Sequence, residues 1–158
     1  MTKVLISSID IAAPAPVVWD LLVDFKAFPS WNPFITSAEG PLRVGGRLTL
    51  RMQPVGGLAM TLRPSVIELV EGRTLRWRGR LLMRGLFDAD HQLLVEPLGP
   101  GGSRLVQREQ FRGALVPLFR RSLDRGTLPA FHAMNQALRT RAERTVDDRE
   151  RGGARSIP

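Results

Sequence analysis

Cysteine and tyrosine are absent from the 158 residues, and histidine occurs only twice. No apolar run approaches the roughly 20 residues of a membrane span. Without cysteine there can be no disulfide, thiolate metal ligand or cysteine nucleophile, and a reducing, cytoplasmic compartment is the expectation. Nothing else supplies a metal site or an oxyanion hole, so neither metal nor cofactor is expected. The opening residues, MTKVLISSIDIAAPAPVVW, alternate and carry Asp10, which is unlike the apolar stretch of a signal peptide.

Acidic residues are also short: 15 against 23 lysines and arginines, a net charge of +8. Such a balance invites a nucleic-acid reading. The placement of the arginines argues against it. They alternate along strand-like segments and face acidic residues across predicted turns, no aromatic residues interleave with them, and no nucleic-acid motif is present. They read as a salt-bridged solvent face, and no nucleic-acid partner is expected.

What remains is 43% apolar and clearly periodic. Residues 4–11 alternate as a first strand, with Leu5, Ile9 and Ile11 on one face. Pro14 and Pro16 suit a helix start, where a missing amide hydrogen costs nothing. Val17, Val18, Leu21, Leu22 and Phe25 then predict a short amphipathic helix over 16–24. The aromatic, proline-punctuated FPSWNPF at 28–34 is too broken for a long helix and predicts a bent connector with Trp31 and Phe34 packed inward.

From there the period is two. Leu48, Leu50 and Met52 alternate with Arg47, Thr49 and Arg51, and Leu58, Met60 and Leu62 repeat the pattern. A bulge near Pro64 is expected to return Ile67 and Leu69 to the inner face. Residues 74–82, 86–96 and 103–113 alternate cleanly and are separated by turns. Centring those turns gives a register. Arg80 faces Asp88, Arg78 faces Asp90, Arg112 faces Asp88 and Arg104 faces Glu96 on the outside. On the inside Trp77 meets His91, His91 meets Glu109 and Leu93 meets Gln107. An inward row His91–Glu109–Gln107 in an apolar floor must be hydrogen-bonded, either within itself or to a ligand.

Only residues 115–143 show long helical spacing, with Leu115, Phe119, Leu123, Phe131, Met134 and Leu138 near one side. Gly126 and Pro129 interrupt it, and Pro129 can give no amide hydrogen bond to the carbonyl of Arg125. A kink or break is expected there, with Thr127 capping a fresh helix and the interruption serving as a hinge for ligand passage. Residues 145–158 lose periodicity and are expected to form a flexible tail, leaving one domain over 1–144. The pattern is α+β: a meandering antiparallel sheet with a helix across its apolar face. The small Gly79 and Ala89, the polar row and the adaptable Met52, Met60 and Met134 point to a cavity between sheet and helix.

Residues 9–34, IDIAAPAPVVWDLLVDFKAFPSWNPF, resemble the opening of the SRPBCC superfamily. His91-Gln92-Leu93, Glu109-Gln110-Phe111-Arg112-Gly113 and Met134-Asn135-Gln136-Ala137-Leu138 are similar to its polyketide cyclase/dehydrase-like branch. The likeness runs from Val4 to Arg144. It implies a helix-grip fold, as in START domains and the birch pollen allergen family. A curved antiparallel sheet would wrap the long C-terminal helix, with two short helices after the first strand and a deep apolar cavity.

Members of such a family bind lipids, sterols, quinones or hormones, or cyclise polyketides, so the fold alone does not choose among them. The leading expectation is binding or carriage of a small hydrophobic or amphipathic molecule (a lipid, quinone or polycyclic aromatic) in the cavity between sheet and C-terminal helix. Trp31, Phe34, Leu50, Met52, Met60, Leu62, Trp77, Leu81, Phe87, Leu93, Phe111, Phe119, Leu123, Phe131 and Met134 would form the wall, and His91, Gln107 and Glu109 would meet its polar end. The alternative is a cyclase or dehydratase using His91 and Glu109 as an acid/base pair. A third reading is a basic accessory protein docking transiently on anionic lipid, or on a protein partner, through its arginine-rich helix face and tail.

Overall fold

The computed structural model describes residues 1–81 and 83–154, with the side-chain surroundings of Leu81, Gly153 and Ala154 outside that set. Ten residues of β1 (Thr2–Ile11) run edge to edge with β8 (Ser103–Arg112), and the order continues through β7 (Phe87–Pro97), β6 (Thr74–Leu81) and β5 (Ser65–Val70). Three shorter strands, β2 (Ile35–Glu39), β3 (Thr49–Met52) and β4 (Met60–Leu62), form a second antiparallel sheet. An isolated bridge between Arg47 and Ser65 joins it to the first. Between β1 and β2 lie α1 (Ala15–Val23) and a single 3₁₀ helix, Phe25–Ser30. After β8 come α2 (Val116–Ser122), a π-helical turn (Leu123–Thr127) and α3 (Leu128–Ala154). This is the α+β helix-grip arrangement.

The registers of β6, β7 and β8 are those that turn-centring predicts: Trp77 pairs His91, His91 pairs Glu109 and Leu93 pairs Gln107. The outer-face partners are subtler than register alone. Arg78 does bond Asp90 at 2.8 Å, but Arg76 reaches the same carboxylate diagonally at 2.6 Å. Arg104 sits opposite Glu96 yet bonds Asp10 of β1 at 2.6 Å, and Arg112 turns to Gln110 rather than Asp88. Burial alone would push the Asp90 carboxyl up; the two guanidinium hydrogen bonds outweigh it and hold the group below the usual carboxylate range.

One strand falls where the sequence carries no expectation, and three expectations need correction. The strand β2 carries no alternation to read, because a bulge between Ile35 and Ser37 spaces its buried residues Ile35 and Ala38 by three. The second bulge falls at Ile67 itself, between Val66 and Glu68, so Val66 rather than Ile67 faces Trp77. At Gly126–Pro129 the helix does not restart from a cap. Widening to a π turn absorbs the interruption, and the backbone stays helical through Leu128. Finally α3 runs on through Ala154, where a tail was expected from 145. Val146 packs against the core, and Asp147 and Asp148 stand one turn before Arg151, the spacing that supports a helix. The last four residues of the expected tail, 155–158, lie outside the described set.

The core sits where α3 crosses the sheet. Ala130, Phe131, Met134, Leu138 and Ala142 form its buried stripe. They close on Leu5, Leu93, Val95 and Leu105 from the strands and on Val18 and Leu22 from α1. Gly113 makes the tight corner from β8 toward α2: its φ is 136°, and a Cβ there would lie 2.2 Å from the Leu86 carbonyl oxygen. No helix among the described residues is long and apolar enough to cross a membrane.

Candidate functional site

Alternation on β7 and β8 turns His91, Gln107 and Glu109 toward the helix, and all three are at least nine-tenths buried. Their partners differ. Gln107 Nε2 donates to Asn135 Oδ1 at 2.7 Å, and Asn135 Nδ2 donates onward to Ser7 Oγ at 2.9 Å. This chain ties β8, α3 and β1 together through the core. Gln107 Oε1, by contrast, has no partner.

His91 lies flat on Trp77, with ring centroids 4.8 Å apart and planes 2° from parallel, and Phe131 meets it edge-on at 5.1 Å. Its Nδ1 is 3.5 Å from Glu109 Oε2, too long for a good hydrogen bond. Neither imidazole nitrogen nor Glu109 Oε2 has a hydrogen-bond partner. Buried polar atoms are satisfied in the great majority of cases, so a cluster of orphans marks where water or a ligand group belongs.

Beside Glu109 the floor opens into a cavity of about 140 Å³. Two strand positions leave the room: Gly79 and Ala89 face each other across β6 and β7, and a Cβ at Gly79 would meet only Pro64 Cβ, at 3.7 Å. Phe34, Met52, Leu62, Phe87, Phe111, Phe119 and Leu123 supply an apolar wall, with Pro54, Met60, Arg80, Ser122 and Thr127 also lining it. The π turn forms one side of the opening, since Leu123 and Thr127 both belong to it. Lys3 holds this turn through an ion pair to Asp124 at 2.5 Å, and the Val55 amide donates to the Gly126 carbonyl at 3.1 Å.

Size decides what fits. An engineered apolar cavity of about 150 Å³ admits benzene or xenon, whereas pockets for drug-sized ligands span roughly 300–1,000 Å³. As shaped here the space matches one aromatic ring or a short alkyl segment. Chemically, its one buried ionisable group is Glu109, which can accept a hydrogen bond or exchange a proton.

Of the expected wall, Phe34, Met52, Met60, Leu62, Phe87, Glu109, Phe111, Phe119 and Leu123 do surround the cavity. Met60 was read as inward but is 45% exposed, so it stands at the rim. Leu50, Trp77, His91, Leu93, Gln107, Phe131 and Met134 are buried but stand outside the lining, packed behind it. Trp31 faces a different feature, an open groove between the 3₁₀ helix and α3 that Arg141 and Arg144 also line. The side chain of Leu81 lies outside the described residues. Sequence reasoning missed Pro54, Arg80, Ser122 and Thr127, which sit in a turn, on an outward strand position and where a helix break was expected. It also missed Asn135 and Ser7 as partners of Gln107, although an asparagine on the apolar side of α3, one residue from Met134, was a readable signal.

The fold and site together define a helix-grip protein with a small, one-sided cavity beneath its C-terminal helix. The sequence profile of the family described as polyketide cyclase / dehydrase and lipid transport matches residues 4–143, and the chain belongs to that family. Solved structures agree on the fold. The chain is similar to the Zhui aromatase/cyclase of Streptomyces sp. R1128, at 20% identity and a TM-score of 0.75 over 92% of this chain and 96% of that one. It is similar to norcoclaurine synthase of Thalictrum flavum, at 16% identity and a TM-score of 0.70 over 90% and 94%. A START superfamily protein of Mycobacterium smegmatis matches at 20% identity and a TM-score of 0.69 over 90% and 98%. No curated protein sequence matches the chain.

Proposed function

We propose that the protein binds and carries a small apolar or amphipathic molecule, one ring or a short alkyl segment in the cavity, with a polar group turned toward Glu109. The observation that carries this reading is the contrast within the lining. Glu109 is 5% exposed and its Oε2 lacks a partner, while phenylalanine, methionine and leucine surround it. A donor on the guest would satisfy that oxygen, and the apolar wall would hold the rest by removing its surface from water at about 25 cal/mol per Å². Membership of a family described by cyclases and lipid transport supports a cavity that is used.

Calorimetric titration with matched single-ring compounds, toluene and p-cresol, tests it. Both should bind, and Glu109→Leu should weaken p-cresol more than toluene. Absence of binding by either, in a protein shown to be folded, would overturn the reading.

The pairing of Glu109 with His91 favours a second reading, a cyclase or dehydratase. A carboxyl facing the cavity with an imidazole 3.5 Å behind it can take a proton from a bound molecule and share it with the ring. The similarity to an aromatase/cyclase agrees with this. Here His91 acts through Glu109 and does not touch the guest. Turnover of a cyclisable substrate that survives both Glu109→Gln and His91→Ala would dismiss the enzyme.

A further inference from the structure

The four most exposed large apolar side chains among the described residues are Leu58 at 89%, Met1 at 84%, Leu118 at 76% and Met83 at 68%. They are far apart in sequence but belong to one end of the molecule, the end where the cavity opens. Leu58 is in the β3–β4 loop, between the lining residues Pro54 and Met60, and Met83 is in the β6–β7 turn, between Arg80 and Phe87. Leu118 is the neighbour of Phe119 on α2. Backbone hydrogen bonds tie the β6–β7 turn and Met1 to the residues that open α2, and the Val55 amide ties the β3–β4 loop to Gly126 of the π turn. The amides of Ala114 and Leu115 donate to the carbonyls of Gly85 and Leu86 at 3.1 and 3.0 Å, and Gly113 N donates to Met1 O at 3.1 Å. Large apolar side chains held this far into solvent around an opening mark an interaction surface rather than ordinary surface scatter.

The charge at this end names the partner. Arg84, Arg120, Arg121 and Arg125 are exposed and have no ion pair among the described residues. The nearby carboxylates are already engaged: Asp124 pairs Lys3, Asp88 lies 3.8 Å from Arg80, and Asp90 is shared by Arg76 and Arg78. Arg84 and Arg112 also line a recess beside the β6–β7 turn, on the outer face of the sheet, together with the ion-paired Arg78, Arg80, Asp88 and Asp90. Protruding apolar tips combined with unneutralised arginines are the composition that seats a protein in the headgroup layer of an anionic bilayer.

We infer that the cavity end of the protein docks on an anionic lipid membrane, inserting Leu58, Leu118 and Met83 and resting its arginines on the phosphates. The opening of the cavity then faces the bilayer, so an apolar guest can pass between lipid and protein without crossing bulk water. This docking differs from attachment through the far end of α3, which carries Arg149 and Arg151. It also stands apart from the cavity reading, because docking requires no guest.

Sedimentation of the full chain with phosphatidylcholine vesicles, with and without phosphatidylglycerol, tests it. Binding should be at least about tenfold tighter with the anionic lipid and should fall as salt is added. Leu58→Ser with Leu118→Ser, and separately Arg120→Glu with Arg121→Glu, should each abolish most of it, with thermal unfolding unchanged because all four side chains are exposed. Arg149→Glu with Arg151→Glu should leave it intact. The proposal is overturned if no vesicle is bound, if phosphatidylglycerol makes no difference, or if the Arg149/Arg151 variant loses as much binding as the Arg120/Arg121 variant.

Discussion

Two residues apart on β8, Gln107 and Glu109 point the same way from the same strand and meet opposite surroundings. At Gln107 the floor is closed: α3 supplies Asn135, β1 supplies Ser7, and Leu93, Leu105, Met134 and Leu138 pack without an opening. At Glu109 the overlying helix widens into the π turn, the facing strands carry Gly79 and Ala89, and the carboxylate borders empty space. Polar residues on one face of one sheet thus have two jobs. One set pins the helix to the strands. The other, Glu109, lines the cavity, and its Oε2 has no hydrogen-bond partner among the described residues.

The largest test of that contrast lies at the closed end. Phe131→Ala should cost about 3–5 kcal/mol in denaturant unfolding, because Phe131 is fully buried against Phe34 and His91. Phe119→Ala, at the half-buried wall of the open end, should cost much less. A cost as large at Phe119 would mean that both ends are equally packed.

The outer face of the same strands gives the next effect. Asp90→Asn should lose about 1.5–3 kcal/mol, the scale of a hydrogen bond to a charged group. The sign with pH follows from linkage. Asp90 is held below its ordinary value when folded, so the folded state binds fewer protons and stability falls as pH drops below about 4. The variant should show a shallower acid decline in the same range.

A matched pair then sharpens the comparison directly. Asn135→Ala should destabilise by about 1–3 kcal/mol because it strands Gln107 and Ser7. Glu109→Gln should change stability by less than about 1 kcal/mol, since Glu109 Oε2 makes no hydrogen bond to lose. Comparable losses would show that Glu109 is as structural as Gln107. The smallest effect is a gain. Gly79→Ala should stabilise by about 0.5–1 kcal/mol, as expected for replacing glycine inside a strand, while narrowing the cavity and weakening a bound guest.

Much of this floor is legible in the sequence, for a definite reason. Between Thr74 and Arg112 the chain makes consecutive hairpins with unbroken alternation, so centring each turn fixes which residues face each other. That places His91 between Trp77 and Glu109 before any coordinates are known. The same logic fails where a residue is inserted. Bulges at Thr36 and Ile67 break the period of two and hide β2 and the true inward residue Val66. It also says nothing about depth. Met60 and Leu58 alternate as inward residues do, yet they occupy a hairpin that extends past the core to the rim. Which end of the polar row opens depends on the π turn, and Gly126 with Pro129 announces an irregularity there without specifying its geometry. Family resemblance supplied the grip of sheet on helix but not the small size of the space beneath it.

The central claim, that the floor is open at Glu109 and closed at Gln107, is tested most directly by titrating isotope-labelled protein with p-cresol and following the backbone amides. The account predicts saturable shifts centred on Ala89, Glu109, Phe111, Leu123 and Thr127, small shifts at Gln107 and Asn135, and loss of saturation when Gly79→Leu fills the space. Saturable shifts centred on Gln107 and Asn135, or on the groove beside Trp31, with Glu109 unmoved, would contradict it.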